Sequence, residues 1–262
     1  MLIGKAGPAK TAIASADAKG VDVRGRDLVG DLMGRLTFTE YFYFLMTGKE
    51  PSDVQRFFLD LLLVTIAEHG LTPTAVAARM TLAAAPDALQ GAVAAGLLGA
   101  GTIVLGTAEL CGKVLVDAQN RVAAGDNPVS VVAAITHEIH ARGEKMPGFG
   151  HPVHKPTDPR SDRILALATE RKVAGSAIDL ARRFTPAVAK AWGRPLPMNV
   201  SMAIAACLID LDFPPAMIKA IPILARTAGL LAHLAEEQER PIGFQMAAAA
   251  EGAITYDGKA DS

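Results

Sequence analysis

Residues 146–163, MPGFGHPVHKPTDPRSDR, concentrate side chains that could do chemistry in a segment whose four prolines rule out one continuous helix. Gly148 and Gly150 would let the backbone lie close to a ligand, and His151 can exchange a proton near neutral pH. Arg160 presents a planar pair of N–H donors suited to a carboxylate. This combination predicts an anion site with an acid/base group beside it. The alternative, which composition alone leaves open, is a structural turn whose histidine and arginine bond to backbone.

The elements that position this loop are predicted to be helices, in an all-α protein. Half of the residues are hydrophobic and only 5% are aromatic, so alanine-rich helices can pack closely. Apolar spacing predicts a helix over 39–47, a second ending near Glu68, and further helices over 74–85, 109–124, 128–142, 160–171, 175–184, 199–210, 214–224 and 223–237. Residues 1 to about 20 read as a loosely held lead-in, and no strand alternation is convincing.

Charge and cysteine content exclude several function classes. The net charge is −1 and no Lys/Arg block is interleaved with aromatic residues, which argues against nucleic-acid binding. Cys111 and Cys207 lack metal-ligand or disulfide-framework spacing, so two reduced thiols and a cytoplasmic location are expected.

Two local patterns invite other interpretations that we do not favour. Residues 91–108 are uncharged, but five glycines and the absence of basic flanks favour a buried or subunit-interface segment over a membrane span. His137 and His140 stand three residues apart rather than four, so they do not form the HExxH zinc motif, and no metal is expected.

The loop resembles the GFGH…K…DPR motif of the citrate synthase superfamily, where the arginine follows the histidine by nine residues as Arg160 follows His151. The resemblance continues in order along the chain. Residues 24–51 are similar to the family's RG…L…F.E..YLL..G..P opening, 68–70 to its Asp-His segment, 225–233 to its RT.G..AH helix, and 240–241 to its late Arg-Pro.

The resemblance implies a large helical domain, 1–115 and 223–262, with a smaller inserted helical domain, 116–222. It implies a site for a coenzyme A thioester and a di- or tricarboxylate. Its implied substrate-binding residues are His69, Arg160, Arg226 and Arg240, and its implied coenzyme A contacts are Pro147, Gly148, Phe149, Gly150 and, less directly, Lys155. Arg240 would reach into the site of a second subunit, so at least a homodimer is expected. His151 would be the acid/base group.

Two positions depart from the citrate synthase pattern. Val104 stands where the histidine that polarises the thioester carbonyl is expected, and Ser201 stands where the catalytic aspartate is expected, 25 residues before Arg226. A hydroxyl is a poor base at neutral pH. Loss of that histidine also occurs in the citryl-CoA lyase branch, including the lyase domain of ATP-citrate lyase, which this chain resembles more closely.

Two hypotheses of different classes follow. The first is a lyase that cleaves citryl-CoA, or a related hydroxy-polycarboxyl-CoA thioester, to acetyl-CoA and an oxo acid such as oxaloacetate. In it, His151 and Ser201, or a water held by Ser201, are catalytic. The second is a catalytically impaired homologue that binds coenzyme A or a di/tricarboxylate as a subunit or sensor. Citrate synthase activity ranks third, because both groups at the thioester end are replaced.

Overall fold

The computed structural model describes residues 9–258, and helices dominate it. Helix accounts for 62% of the chain and strand for 4%, which confirms the predicted all-α class. The helices are α1 Phe38–Thr47, α2 Asp53–Ala67, α3 Pro73–Ala84, α4 Leu89–Leu98, α5 Thr107–Ala123, α6 Pro128–Ala141, α7 Pro159–Glu170, α8 Ser176–Ala191, α9 Val200–Asp210, α10 Ala220–Glu239 and α11 Gly243–Ala253.

The chain divides into two compact units, Met1–Asp60 and Leu61–Ser262, with the division inside α2. The predicted domains are different: a large domain of residues 1–115 and 223–262, and a small domain of residues 116–222. That division stays a prediction.

The first unit contains a small antiparallel sheet that the sequence pattern does not predict. Its strands are β1 Ala14–Ala16, β2 Val21–Val23 and β3 Arg26–Asp27, in the order β1-β2-β3, with Ser15 opposite Asp22 and Val23 opposite Arg26. The predicted lead-in of residues 1–20 is therefore wrong over β1; its first eight residues lie outside the described range. Val23 packs with Leu32 and Phe44 in a core of its own.

The second unit is organised around α9, whose residues 202–208 are all buried. Helices α5, α7 and α8 pack against it. A separate cluster joins α3, α4 and α10 through small residues, since Ala75, Ala78 and Ala92 let Leu230 and Leu234 of α10 approach closely. These two cores hold the segments between the helices in fixed positions.

The uncharged stretch 91–108 is not one continuous helix, because α4 ends at Leu98 and a turn follows. Among the described residues, one helical segment, Pro215–Glu239, is long and apolar enough to cross a membrane by length and composition. Its Ile221, Leu230 and Leu234 are buried inside the protein, as in the core helix of a globular domain.

Both cysteines are free and buried, in agreement with the expected thiols. Burial raises the pKa of the Cys207 thiol to about 12.

Candidate active site

A cavity of about 330 Å³ in the second unit brings together residues that are far apart in sequence. Six of the eleven predicted site residues line it: His69, Gly150, His151, Arg160, Ser201 and Arg226. The remaining lining residues are mostly apolar or hydroxylated: Ile66, Glu68, Thr72, Pro73, Ile103, Val104, Leu105, Thr107, Pro152, Asn199 and Val200.

Arg160 is held by the carboxylate two residues before it. Asp158 caps the N-terminus of α7 and is fully buried, and it accepts hydrogen bonds from Arg160 Nε at 3.0 Å and Nη2 at 2.9 Å. The same carboxylate accepts the backbone N–H of Val200 at 3.0 Å, which ties the start of α9 to α7. Burial alone would raise the pKa of Asp158, but these donors and the arginine charge hold it below its ordinary value. Arg160 is therefore fixed before any ligand arrives.

The hydrogen bonds of His151 determine which ring nitrogen carries its proton. Nδ1 accepts the backbone N–H groups of Val153 at 3.1 Å and His154 at 2.9 Å. A neutral imidazole has one N–H, so accepting both backbone donors places the proton on Nε2. Nε2 is 3.2 Å from Arg160 Nη2, which can only donate, so in this tautomer two N–H groups face each other. A ligand oxygen bound beside the two nitrogens would accept from both and relieve that contact.

Arg226 carries the clearest sign of a missing partner. Its side chain is 3% exposed, its Nη2 donates only a long 3.5 Å hydrogen bond to the Ile66 carbonyl, and its Nε and Nη1 have no partner. Burial lowers the pKa of Arg226, and the charge of Glu68 opposes that shift. Buried guanidinium donors are rarely left unsatisfied, because the desolvation of each is not recovered. Since Arg226 lines the cavity, a carboxylate bound there would satisfy it.

His69 follows the C-terminus of α2 and is placed by Glu68. Glu68 Oε1 accepts the backbone N–H of His69 at 2.8 Å and of Gly70 at 2.6 Å, and it accepts Nε2–H of His233 at 3.0 Å. Gly229 of α10 makes this possible, because a Cβ there would lie 2.1 Å from the Ala67 carbonyl oxygen. α10 thus packs directly on the end of α2.

Burial lowers the pKa of His69, and the positive charges of Arg160, His154 and Arg226 lower it further. Burial, followed by a charge on His154, also lowers the pKa of His151. Both rings are therefore neutral near pH 7.

The thioester end of the expected site is apolar. Val104 lines the cavity between Ile103 and Leu105, and Ser201 lies in the first turn of α9. Asn199 caps that helix by accepting Ser201 N–H at 3.0 Å. Neither position offers a carboxylate or an imidazole, as the sequence indicates.

The predicted coenzyme A segment lines an adjacent groove of about 680 Å³. Pro147, Gly148, Phe149 and Gly150 contribute to it, and Phe149 forms an isolated antiparallel bridge with Met198. Gly148 has φ +78°, and a Cβ there would lie 2.6 Å from Met202 Cβ, so only glycine fits. Lys155 lines a smaller neighbouring cavity that Gly150 and His151 share. No ligand contact tests these assignments, so they stay predictions.

Arg240 lies apart from these residues. It follows the C-terminus of α10, its side chain is 76% exposed, and it pairs with Glu236 at 2.5 Å. Its predicted action across a subunit interface stays a prediction.

Three imidazoles at the cavity are close enough to share a metal ion. The ring nitrogens of His69, His151 and His154 lie within 4.8 Å of one another. The charges of Arg160 and Arg226 beside them oppose a cation, and His151 Nδ1 faces two N–H donors rather than the acceptor that usually supports a metal-bound histidine. The surroundings therefore favour an anionic ligand.

The comparisons with known proteins agree with this geometry. The sequence profile of the citrate synthase C-terminal domain matches residues 9–243. The chain belongs to the citrate synthase family. A citrate synthase of Heyndrickxia coagulans is 29% identical over 210 residues, which are 78% of this chain and 53% of that protein. The chain spans about half the length of the curated relatives it matches.

Two solved structures are similar along nearly the whole chain. Citryl-CoA lyase from Hydrogenobacter thermophilus has a TM-score of 0.85 and 28% identity, covering 97% of this chain and 96% of that one. ATP citrate lyase from Methanothrix soehngenii, in complex with citrate and coenzyme A, has a TM-score of 0.76, 19% identity, and coverage of 99% and 43%. The second similarity concerns the fold alone.

Sequence reasoning missed three residues at this site: Glu68, His154 and Asp158. The signal for Asp158 was present, because an aspartate before a proline at a helix start is a typical N-cap. The signal for His154 was weaker, because it consisted only of a position three residues after His151. Nothing in the sequence indicates that Glu68 meets His233.

Proposed function

We propose that this protein is a carbon–carbon lyase that cleaves citryl-CoA, or a closely related 3-hydroxy-3-carboxyacyl-CoA thioester, to acetyl-CoA and an oxo acid such as oxaloacetate. The single observation that carries the proposal is the buried guanidinium of Arg226, two of whose nitrogens have no partner, at a cavity with Arg160 and His151. Full-length similarity to a citryl-CoA lyase supports the choice of reaction.

The roles follow from the donors available. Arg226 would bind one carboxylate through the part of its guanidinium that lines the cavity. His151 Nε2–H and Arg160 Nη2–H would both donate to the tertiary oxygen, and would stabilise the negative charge that it carries once its proton has left, before that charge passes to the thioester enolate as the carbon–carbon bond breaks. The groove beside Gly148 would take the coenzyme A chain. Arg240 would serve the site of a second copy in a homodimer.

Cleavage rather than full citrate synthesis is favoured by the similarity to a citryl-CoA lyase along nearly the whole chain. Removal of the acetyl methyl proton in synthesis and its return to the enolate in cleavage need the same kind of group, and neither Val104 nor Ser201 supplies a carboxylate or an imidazole for that step. Cleavage begins at the more acidic tertiary hydroxyl, next to the arginines.

The test is the release of acetyl-CoA and oxaloacetate from citryl-CoA, followed by chromatography, with Arg226→Met and His151→Ala as inactive controls. We expect turnover that both substitutions abolish. A folded protein that cleaves neither citryl-CoA nor a panel of related thioesters would refute the proposal.

The second candidate is a binding subunit or sensor, which the replacement of both thioester-end groups favours. It requires thermal stabilisation by oxaloacetate or coenzyme A that Arg160→Ala removes, without turnover.

A further inference from the structure

His154 has no role in the reaction as described so far, yet it belongs to the same cluster. Its ring stacks on His151 with centroids 4.3 Å apart and an interplanar angle of 29°, and its centroid is 6.1 Å from that of His69. The three rings each offer a nitrogen within 4.8 Å of the others. One water molecule, or a small rotation of a ring, spans that distance.

The proposed cleavage needs a proton acceptor, and the hydrogen bonds of His151 make it unsuitable for that role. Nδ1 of His151 accepts two backbone N–H groups, and Nε2 faces the Arg160 guanidinium at 3.2 Å, so neither ring nitrogen is free to take a proton. The Asp158 carboxylate already accepts hydrogen bonds from the Arg160 side chain and from the Val200 backbone N–H. Ser201 offers a neutral hydroxyl.

Glu68 is the remaining carboxylate among the residues lining the cavity, and it is a weak base. Its Oε1 accepts three hydrogen bonds. Burial would raise its pKa, but the hydrogen bond from His233 and those from backbone N–H groups hold it below its ordinary value. The imidazoles of His69 and His154 are therefore the bases left among these residues.

We propose that His69 takes the proton of the tertiary hydroxyl and that His154 is its positioning and proton-storing partner, so that an imidazole cluster replaces the family carboxylate. This inference rests on the proposed function. The hydroxyl O–H bond breaks and its proton goes to a ring nitrogen of His69. The electrons of the broken carbon–carbon bond form the thioester enolate. The cluster then returns one proton to the enolate carbon, so no other reactant is consumed.

The charges around the cluster explain why one extra proton is shared rather than held by each ring. A charge on His154 lowers the pKa of both His69 and His151. Arg160 adds to this repulsion at both rings, and Asp158 opposes it. A proton on one ring therefore disfavours a proton on its neighbours.

The test uses His154→Phe, which keeps a flat ring for stacking but removes both nitrogens. His137→Phe is the matched control, because His137 is exposed on α6 and does not line the cavity. Steady-state cleavage of citryl-CoA would be measured across pH. We expect kcat to fall about 100-fold or more with His154→Phe, the usual worth of a positioned proton-transfer group. We expect KM to stay within about threefold, and His137→Phe to leave both constants unchanged.

A second variant separates proton transfer from packing. Free imidazole should restore part of the rate of His154→Ala, and it should have no effect on the His137 control. If His154→Phe fails to fold, His154→Gln replaces it, with the same expectation.

The outcomes that overturn the inference are distinct from those that overturn the function. Turnover by the unaltered protein and by His154→Phe at rates within about threefold overturns the inference alone. So does a rise in KM at constant kcat, because it marks a binding role. Absence of turnover in the unaltered protein overturns both.

Discussion

Replacing Arg226 by methionine should make the unliganded protein more stable and its ligand binding much weaker. Methionine keeps the unbranched apolar stem in the buried position but removes the charged head. Nε and Nη1 of Arg226 have no partner and the side chain is 3% exposed, so their desolvation is uncompensated. Each unsatisfied buried group costs about 1–3 kcal/mol.

One electrostatic attraction lost in the variant offsets part of this gain in the free energy of unfolding. Arg226 is attracted to Glu68, whose side chain is 47% exposed. Pairs screened by solvent to that degree contribute about 0–1 kcal/mol. Two such groups are removed, so the free energy of unfolding should rise by about 1–6 kcal/mol. For a chain of this size, each kcal/mol raises the melting temperature by about 2–4 °C.

Ligand binding should change in the opposite direction. Two hydrogen bonds from a guanidinium to a carboxylate contribute about 1.5–3 kcal/mol each. Their loss should raise the Kd for oxaloacetate by about 100-fold or more. The stabilisation that oxaloacetate gives the unaltered protein should then disappear at the same concentration.

Urea unfolding and calorimetric titration with oxaloacetate measure the two effects. Arg163→Met on α7 is the matched control, because Arg163 is an exposed arginine in a loose 3.6 Å ion pair with Glu170. It should change stability by less than about 0.5 kcal/mol. An Arg226→Met protein that is less stable than the unaltered chain, or that binds oxaloacetate equally well, would refute the reasoning.

Four further outcomes are expected. Ser201→Asp should fold normally, since an acidic residue suits the first turn of α9. It should increase citryl-CoA cleavage if the family carboxylate is the only group lacking. A decrease in kcat would mean that the pocket serves another substrate. Gly148→Ala should lower the urea midpoint far more than Gly150→Ala, because both have positive φ but only the first has no room for a Cβ; equal midpoints would contradict this. In the folded protein the pKa values of His69 and His151 lie below the ordinary 6.5, so the unfolded chain binds more protons. The free energy of unfolding should therefore fall as the pH drops below about 6.5. Replacing both histidines by glutamine should make that pH dependence weaker in urea titrations. Chelators should leave turnover unchanged, and added zinc should not increase it, because the arginine charges beside the imidazoles oppose a cation; activation by zinc would contradict the anionic assignment.

The sequence predicted several helices well because their apolar faces repeat over several turns, but the prediction of two helices over 214–224 and 223–237 was wrong, since α10 is one helix, Ala220–Glu239. Bounds at α3 and α7 differ from the predicted ones by a single residue at each end. The prediction for α8 was wrong at its C-terminus, since the helix continues past Phe184 and through Pro186 to Ala191. Val188 continues the buried face beyond the proline, and that packing outweighs the lost backbone hydrogen bond.

The small sheet was missed for a physical reason. β1 is Ala14–Ala16, and all three of its residues are exposed, so no alternation of polar and apolar residues marks it as a strand. Its pairing with β2 depends on backbone hydrogen bonds across a tight turn rather than on a buried face.

At the site, spacing and resemblance identified the cationic and imidazole groups, and their partners required three-dimensional structure. His151 and Arg160 were recognisable as a pair nine residues apart. The sequence did not show that both present N–H groups to the same point. The tautomer of a histidine depends on neighbouring hydrogen bonds, and these are known only from the structure.

Gly229 has a mechanical consequence. Arg226, Gly229 and His233 lie three and four residues apart on α10, so they occupy one face of a single helix. The backbone of that helix rests on the Ala67 carbonyl, which acts as a stop with no side chain to yield. Any rotation of α10 would displace the guanidinium and release Glu68 together. The position of Arg226 relative to the end of α2 is thereby set by direct backbone contact, and a methyl group at Gly229 would change the dimensions of the cavity although Gly229 does not line it.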